Sequence, residues 1–450
     1  MQKQVYLLFC ALCLAATVHA QNITAELDTL LRAYYRRGEF NGSVLIARQG
    51  KILLEKGYGY SNLTARTLND GHTRFQIASA TKPFTSTLIL KLVSLHKLSL
   101  DDKLSKFYPD YPKGDSITVE NLLSHTSGIY DYTRDGDFMN NEAGKPNTEE
   151  MMMALFKDKP LDFSPGTQWS YSNSGYSMLG YIVPRAAGLS YDKAIRKYIF
   201  TPLKMDSSGF DFVHLDSTRK AIGYYADSTG AYNQRAPIVD SSVAFAAGAI
   251  YSTVEDLYKW HTGLQQYAIV NKTLQDKAYK PFKNNYGYGW IIDSIYGRRM
   301  VSHSGAIWGF RSNFARITED DVCVILLCNI ETPAMTNMTR RILAVLYHQP
   351  YTIPQLRVPV QVSAAVLAKY AGFYEIKEIP LRIEMKLENG TLVAYPNNGP
   401  RSELMAADAT HFFLKDDQDY EIGFDLDESG VPKSMQLRNS IGPRTAVRVP

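Results

Sequence analysis

Phe75-Gln76-Ile77-Ala78-Ser79-Ala80-Thr81-Lys82-Pro83-Phe84 is the stretch on which the rest of the chain is organised. An apolar segment runs straight into the start of a helix. Ser79 and Lys82 are three apart, so on that helix they share a face. Ser79 falls in the first turn, where free backbone N–H groups and the helix dipole favour negative charge. A hydroxyl there with an amine beside it is a candidate nucleophile with its base. Phe84, Leu88, Leu92 and Leu95 follow at helical spacing, which predicts a central, buried helix. A lysine held against such a surface gives up its proton more readily, because desolvation penalises the ammonium. S-x-x-K alone is weak: Ser94/Lys97, Ser190/Lys193 and Ser217/Lys220 have the same spacing. They read as capping serines and surface lysines, and the apolar context singles out the first pair.

A nucleophile of this kind needs a proton shuttle for the leaving group and donors for an oxyanion. Tyr171-Ser172-Asn173 supplies a phenol and an amide. Beside Lys82 the Tyr171 phenolate is expected to be favoured, and Asn173 is expected to bridge Lys82 and a substrate amide. His303-Ser304-Gly305 closes a predicted strand. Gly305 would let a substrate backbone approach, and the Ala306 N–H would join the Ser79 N–H as an oxyanion hole. Two decoys repeat these spellings. Tyr60-Ser61-Asn62 reads as a loop tyrosine after a hairpin. His261-Thr262-Gly263 falls on a periodic helix, where a solvent-facing histidine is expected.

Ser79-x-x-Lys82, Tyr171-x-Asn173 and His303-x-Gly305, in this order, resemble the serine β-lactamase and penicillin-binding protein superfamily, specifically its class C-like branch. Leu122-Leu123-Ser124-His125-Thr126-Ser127-Gly128, Pro165-Gly166 and Ala247-Gly248-Ala249 add to the resemblance, which covers about residues 25 to 347. It implies an antiparallel sheet flanked by helices with a helical subdomain, and an acyl-enzyme on Ser79. Lys82 and Tyr171 would take the serine proton, and Tyr171 would protonate the leaving group. No metal or cofactor is implied. One departure matters: His303 stands where many β-lactamases carry lysine, and a histidine is mostly uncharged at neutral pH. D-peptide or ester hydrolysis is therefore expected over efficient β-lactam turnover. Arg311 is the candidate partner for a substrate carboxylate. The alternative from another class is a catalytically silent binding or sensor protein on the same fold.

The whole chain sets the frame. Its 450 residues, 45% apolar, carry a net charge of +4. A large core is available, and the balanced charge argues against a nucleic-acid partner. Residues 1–20 read as a secretory signal peptide, from Lys3 through an apolar run to Val18-His19-Ala20. A secreted or periplasmic location follows as an expectation, with no integral membrane segment after signal removal. Cys323 and Cys328 share one apolar run five residues apart and read as buried free thiols. The hydrolase-like domain is expected over 21–348. A proline-marked linker follows at 349–362, and a small antiparallel β-barrel, lipocalin-like by resemblance, at 363–450. Strands at both ends of the main domain enclose a helical middle, so the fold class is mixed α/β (α+β). Asp425-Leu426-Asp427-Glu428-Ser429-Gly430 faintly resembles a calcium loop, but Gln436 occupies the twelfth place and a hairpin turn is the better reading. The substrate and the oligomeric state are left open.

Overall fold

Gly42–Arg48 (β1) is buried at six consecutive positions, the pattern of a strand covered on both faces. It turns at Gln49-Gly50 into Lys51–Tyr58 (β2). The computed structural model describes residues 23–215, 218–227, 231–415, 417–439 and 442–450. The proposed signal peptide and Ser217 lie outside the described residues.

By internal contacts the chain divides into two units, one built on Phe40–Glu331 and one on Thr29–Glu39 with Thr332–Pro450. In the first, strands from the two ends of the unit meet in one antiparallel sheet. Ile291–Ile295 (β3), Arg298–Ile307 (β4), Phe310–Ile317 (β5) and Val322–Cys328 (β6) join the hairpin in the order β2-β1-β6-β5-β4-β3. The closing pair runs from Gly42 opposite Cys328 to Arg48 opposite Val322. Every residue of β6 is buried, Cys323 and Cys328 as free thiols. The chain between β2 and β3 supplies the helical middle. Lys82–Ser94 (α1) is buried without a break from Lys82 to Leu90, as expected of a helix apolar on most sides. Phe84 on α1 stacks on Trp260 at 4.3 Å. Trp260 belongs to Val254–Gln265 (α3), which packs on β1 and β6 and is capped by Thr253 accepting from the Asp256 N–H. Between them in sequence, Asn173–Ala187 (α2) starts at Ser172, whose side chain accepts from Gly175 N–H.

The expectation for His261 is corrected here. It is 2% exposed, inside the unit rather than facing solvent. Its helix face meets Arg316 of β5, whose Nε–H donates to His261 Nδ1 at 2.9 Å, while His261 Nε2 meets Asp321 at 2.9 Å. A partner distant in sequence turned a polar position inward.

In the second unit eight strands close into a barrel: Gly372–Ile376 (β7), Leu381–Glu388 (β8), Thr391–Pro396 (β9), Ser402–Ala406 (β10), His411–Leu414 (β11), Glu421–Leu426 (β12), Pro432–Asn439 (β13) and Gly442–Val449 (β14). The last pairs with the first, Phe373 opposite Val449. Tyr374, Met385, Phe412, Phe424 and Met435 fill the interior, as eight strands enclose room for side chains and little else. Asp427 accepts from the Ser429 and Val431 N–H groups in the turn between β12 and β13, so the calcium-like run is a hairpin turn. Asp419 accepts from Arg37 at 2.6 Å and also pairs with Arg341. Among the described residues no helix is long and apolar enough to cross a membrane.

Candidate active site

Ser79 lies in a single 3₁₀ turn, Ala78–Thr81, that runs directly into α1. Ala78 has φ +50°, a left-handed conformation that costs an alanine about 1–2 kcal/mol and persists where the surroundings enforce it. The surroundings are β4 and β5. Ser312 donates to the Ile77 carbonyl at 2.7 Å, and Gly305 lies against the same carbonyl. A Cβ on Gly305 would sit 2.1 Å from Ile77 O and 2.4 Å from Ser312 Oγ. This corrects the role expected of Gly305: the missing side chain makes room for the nucleophile's own turn, not for a substrate backbone.

Lys82 is fully buried. Its Nζ lies 3.0 Å from Ser79 Oγ, 2.9 Å from Asn173 Oδ1 and 2.8 Å from the Ala247 carbonyl. Burial lowers its pKa to about 7, with Asp131 opposing the shift. A neutral amine has two hydrogens and one lone pair. The Ala247 carbonyl only accepts. The Asn173 oxygen only accepts too, because Asn173 Nδ2 is held by Asp131 Oδ2 at 3.3 Å and Thr133 Oγ1 at 3.4 Å. Both hydrogens are therefore committed, and the lone pair is left for the Ser79 hydroxyl proton. The Ala247 carbonyl reaches Lys82 because the helix Ser241–Gly248, between α2 and α3 in the chain, breaks at Phe245, φ 35° and ψ −132°. The neighbouring Ala246 carbonyl accepts from Thr85.

Ser79 neighbours the Tyr171 hydroxyl and acts to lower its pKa. The expected phenolate is corrected: burial raises the Tyr171 pKa further than Ser79 lowers it, so the side chain is a phenol. Lys82 Nζ sits over its ring at 4.7 Å from the centroid. Tyr171 packs on His125 at 4.3 Å between centroids. His125 Nδ1 accepts the Ser172 N–H at 3.1 Å, which pins the Tyr171-x-Asn173 turn. Its proton is then on Nε2, buried among the rings of Tyr176 and Tyr286 with no hydrogen-bond partner among the described residues.

His303 is buried and neutral. Burial, then the nearby Lys82, lowers its pKa to about 3. Nδ1 meets the Ser304 carbonyl at 2.6 Å, so it carries the proton, and Nε2 accepts from the Tyr286 hydroxyl at 3.0 Å. Neither nitrogen is left for a ligand, so His303 serves as packing beside Tyr171, with ring centroids 6.3 Å apart.

A cavity of about 340 Å³ opens onto Ser79, Asn173, Ala306 and Arg311. Lys82, His303 and Gly305 stand behind its wall. Arg311 departs from its expected use: its carboxylate partner is the chain's own Glu331, at 3.2 Å. Sequence reasoning missed Asp131, Tyr286 and Glu331. Asp131 left one trace, an Asp two residues before a Thr, the pattern of an Asx cap; it accepts from the Thr133 N–H at 3.2 Å.

With this geometry established, comparison with known proteins is informative. The family model described as Beta-lactamase matches residues 25–349. The chain belongs to the β-lactamase family. Penicillin-binding protein 4* of Bacillus subtilis (strain 168) is 28% identical over 454 residues, spanning 95% of this chain and 99% of that protein. The octameric penicillin-binding protein homologue from Pyrococcus abyssi is 25% identical with a TM-score of 0.67, over 94% of this chain and 99% of its own. D-amino acid amidase from Ochrobactrum anthropi SV3, complexed with D-phenylalanine, shares the fold with a TM-score of 0.63 at 23% identity, over 73% of this chain and 99% of its own. The β-lactamase family thus accounts for the mixed fold and for a serine-hydrolase superfamily assignment.

Proposed function

We propose that this protein is an exported serine hydrolase that forms an acyl-enzyme on Ser79 and acts on D-amino-acid peptides, amides or small esters. The observation that carries the reading is the Lys82 amine, 3.0 Å from Ser79 Oγ, with its other two contacts to groups that only accept. In this scheme Ser79 Oγ bonds to the substrate carbonyl carbon while its proton passes to Lys82. The backbone N–H groups of Ser79 and Ala306 receive the oxyanion. Collapse breaks the carbonyl–nitrogen or carbonyl–oxygen bond as the Tyr171 hydroxyl gives its proton to the leaving group. Lys82 returns a proton to Tyr171, and water reverses the sequence to release the acid.

The neutral His303 supports weak β-lactam turnover, since no fixed cation stands at that place. The D-amino acid amidase and the penicillin-binding protein homologues lend the substrate class, and residues 1–20 carry the export proposal. The test is labelling with a fluorophosphonate, read by intact-protein mass spectrometry. One adduct on the wild type and none on Ser79→Ala is expected. An unlabelled wild type overturns the enzyme reading, and nitrocefin turnover at the rate of a dedicated β-lactamase overturns the specificity reading.

A further inference from the structure

Arg311 and Glu331 face the cavity that opens onto Ser79, and their surroundings are unequal. The Arg311 guanidinium is largely committed. One terminal nitrogen donates to the Ile307 carbonyl at 3.1 Å and the Phe310 carbonyl at 2.9 Å, and the other meets Glu331 Oε1 at 3.2 Å. Glu331 uses one oxygen in that pair, and among the described residues the other has no partner. The carboxylate is also the more open side chain, 37% exposed against 24% for Arg311. Its backbone is held in place, because the Tyr232 hydroxyl donates to the Glu331 carbonyl.

Lys82 and Asp131 also carry charge near the cavity, the latter behind Asn173. When Lys82 acts as a base it is neutral. Of these charges two carboxylates, Asp131 at one remove, then stand against one guanidinium, which favours a cation in the cavity over an anion. Ile307, Trp308, Met139 and Val239 line the same space and suit an apolar side chain.

We infer that Glu331 is the specificity-determining residue of this site, and that it selects substrates with a free ammonium group beside an apolar side chain. This rests on the proposed Ser79 chemistry for its meaning, though its test does not need the reaction. Arg311 positions the carboxylate and does not itself bind the substrate's charge.

Calorimetric titration of the Ser79→Ala protein reads binding without turnover. The probes are D-phenylalaninamide, its N-acetyl counterpart without the charge, and N-acetyl-D-phenylalanine, which offers a carboxylate instead. The amine-bearing probe is expected to bind about fivefold tighter than the N-acetyl amide, the scale of a half-exposed ion pair. The carboxylate is expected to bind weakest. In Ser79→Ala/Glu331→Gln the amine preference should fall to about one. In Ser79→Ala/Arg311→Leu it should grow, since Glu331 loses its neutralising partner; this opposite sign guards against a variant that merely folds poorly. Tightest binding by the carboxylate, equal binding of the first two probes, an amine preference that survives Glu331→Gln, or no binding by any probe overturns the inference. Fluorophosphonate labelling of the wild type is scored separately, so loss of the hydrolase reading and loss of this one are told apart.

Discussion

Lys82 and Arg316 are both cations with no exposed surface in the same structural unit, and the fold treats them differently. Arg316 is surrounded by partners for every face of its guanidinium: His261 Nδ1 at 2.9 Å, the Tyr279 hydroxyl at 2.7 Å and Gln265 Oε1 at 2.9 Å. Its charge is relayed through the neutral His261 to Asp321. Among the described residues no carboxylate touches Lys82. Its three neighbours are a hydroxyl, an amide oxygen and a carbonyl, and its balancing Asp131 stands one residue away, behind Asn173. An arginine cannot shed its proton, so burial must be compensated by pairing. A lysine can, and burial at Lys82 moves its pKa to about 7. The comparison teaches that desolvation of one cation is structure and of the other is chemistry.

Exchanging the properties of the two cations is the sharpest way to break this contrast. Lys82→Arg keeps the charge and removes the lone pair, so fluorophosphonate labelling of Ser79 should fall about 10³-fold in stopped-time mass spectrometry. Arg316→Met strands His261, Tyr279 and Gln265, and should lower stability by about 3 kcal/mol in urea unfolding. The protein that remains folded should acylate at the wild-type rate. A large acylation loss in Arg316→Met would erase the distinction.

Smaller changes refine it. Asp131→Asn removes the acceptor that fixes the Asn173 amide, and should cost acylation about tenfold by letting the amide turn its NH₂ toward Lys82. Lys82 also has a stability signature. With a folded pKa near 7 against its ordinary 10.5, the unfolded chain binds more protons between those values, so stability rises with pH across that window. In Lys82→Met that rise should disappear from the pH dependence of the melting temperature. Tyr286→Phe removes the donor to His303 Nε2 and should be the mildest, about 1 kcal/mol in unfolding with acylation little changed.

The legible part of the molecule was its local chemistry. Ser79 and Lys82 are three apart across a 3₁₀ turn and the start of α1, and Tyr171 and Asn173 flank a helix cap, so spacing alone grouped them. The sheet was legible because β6 is a continuous apolar run and β1–β2 a hairpin around Gln49-Gly50. What stayed hidden depends on partners remote in the chain. His261 turned inward because Arg316 lies opposite it, and His303 and its decoy share a spelling but not a setting. Glu331 follows β6 and reaches the cavity only through β5, where Arg311 stands opposite Cys328. Two barrel strands carry little strand signal of their own. Ser402–Ala406 is short and half polar, and Gly442–Val449 carries Pro443, Arg444 and Thr445 on exposed positions. Edge closure between Phe373 and Val449, more than seventy residues apart, recruits the latter.

The central claim is that Lys82 serves Ser79 as a neutral amine near pH 7. It is tested most directly by the rate at which a fluorophosphonate phosphonylates Ser79, forming the Oγ–P bond as fluoride leaves, measured on the wild type from about pH 5 to about pH 9. The account predicts a rate that climbs about tenfold per pH unit at the acid end and levels off above a midpoint of about 7. A rate that is flat across the range, or that falls as the pH rises, would contradict it.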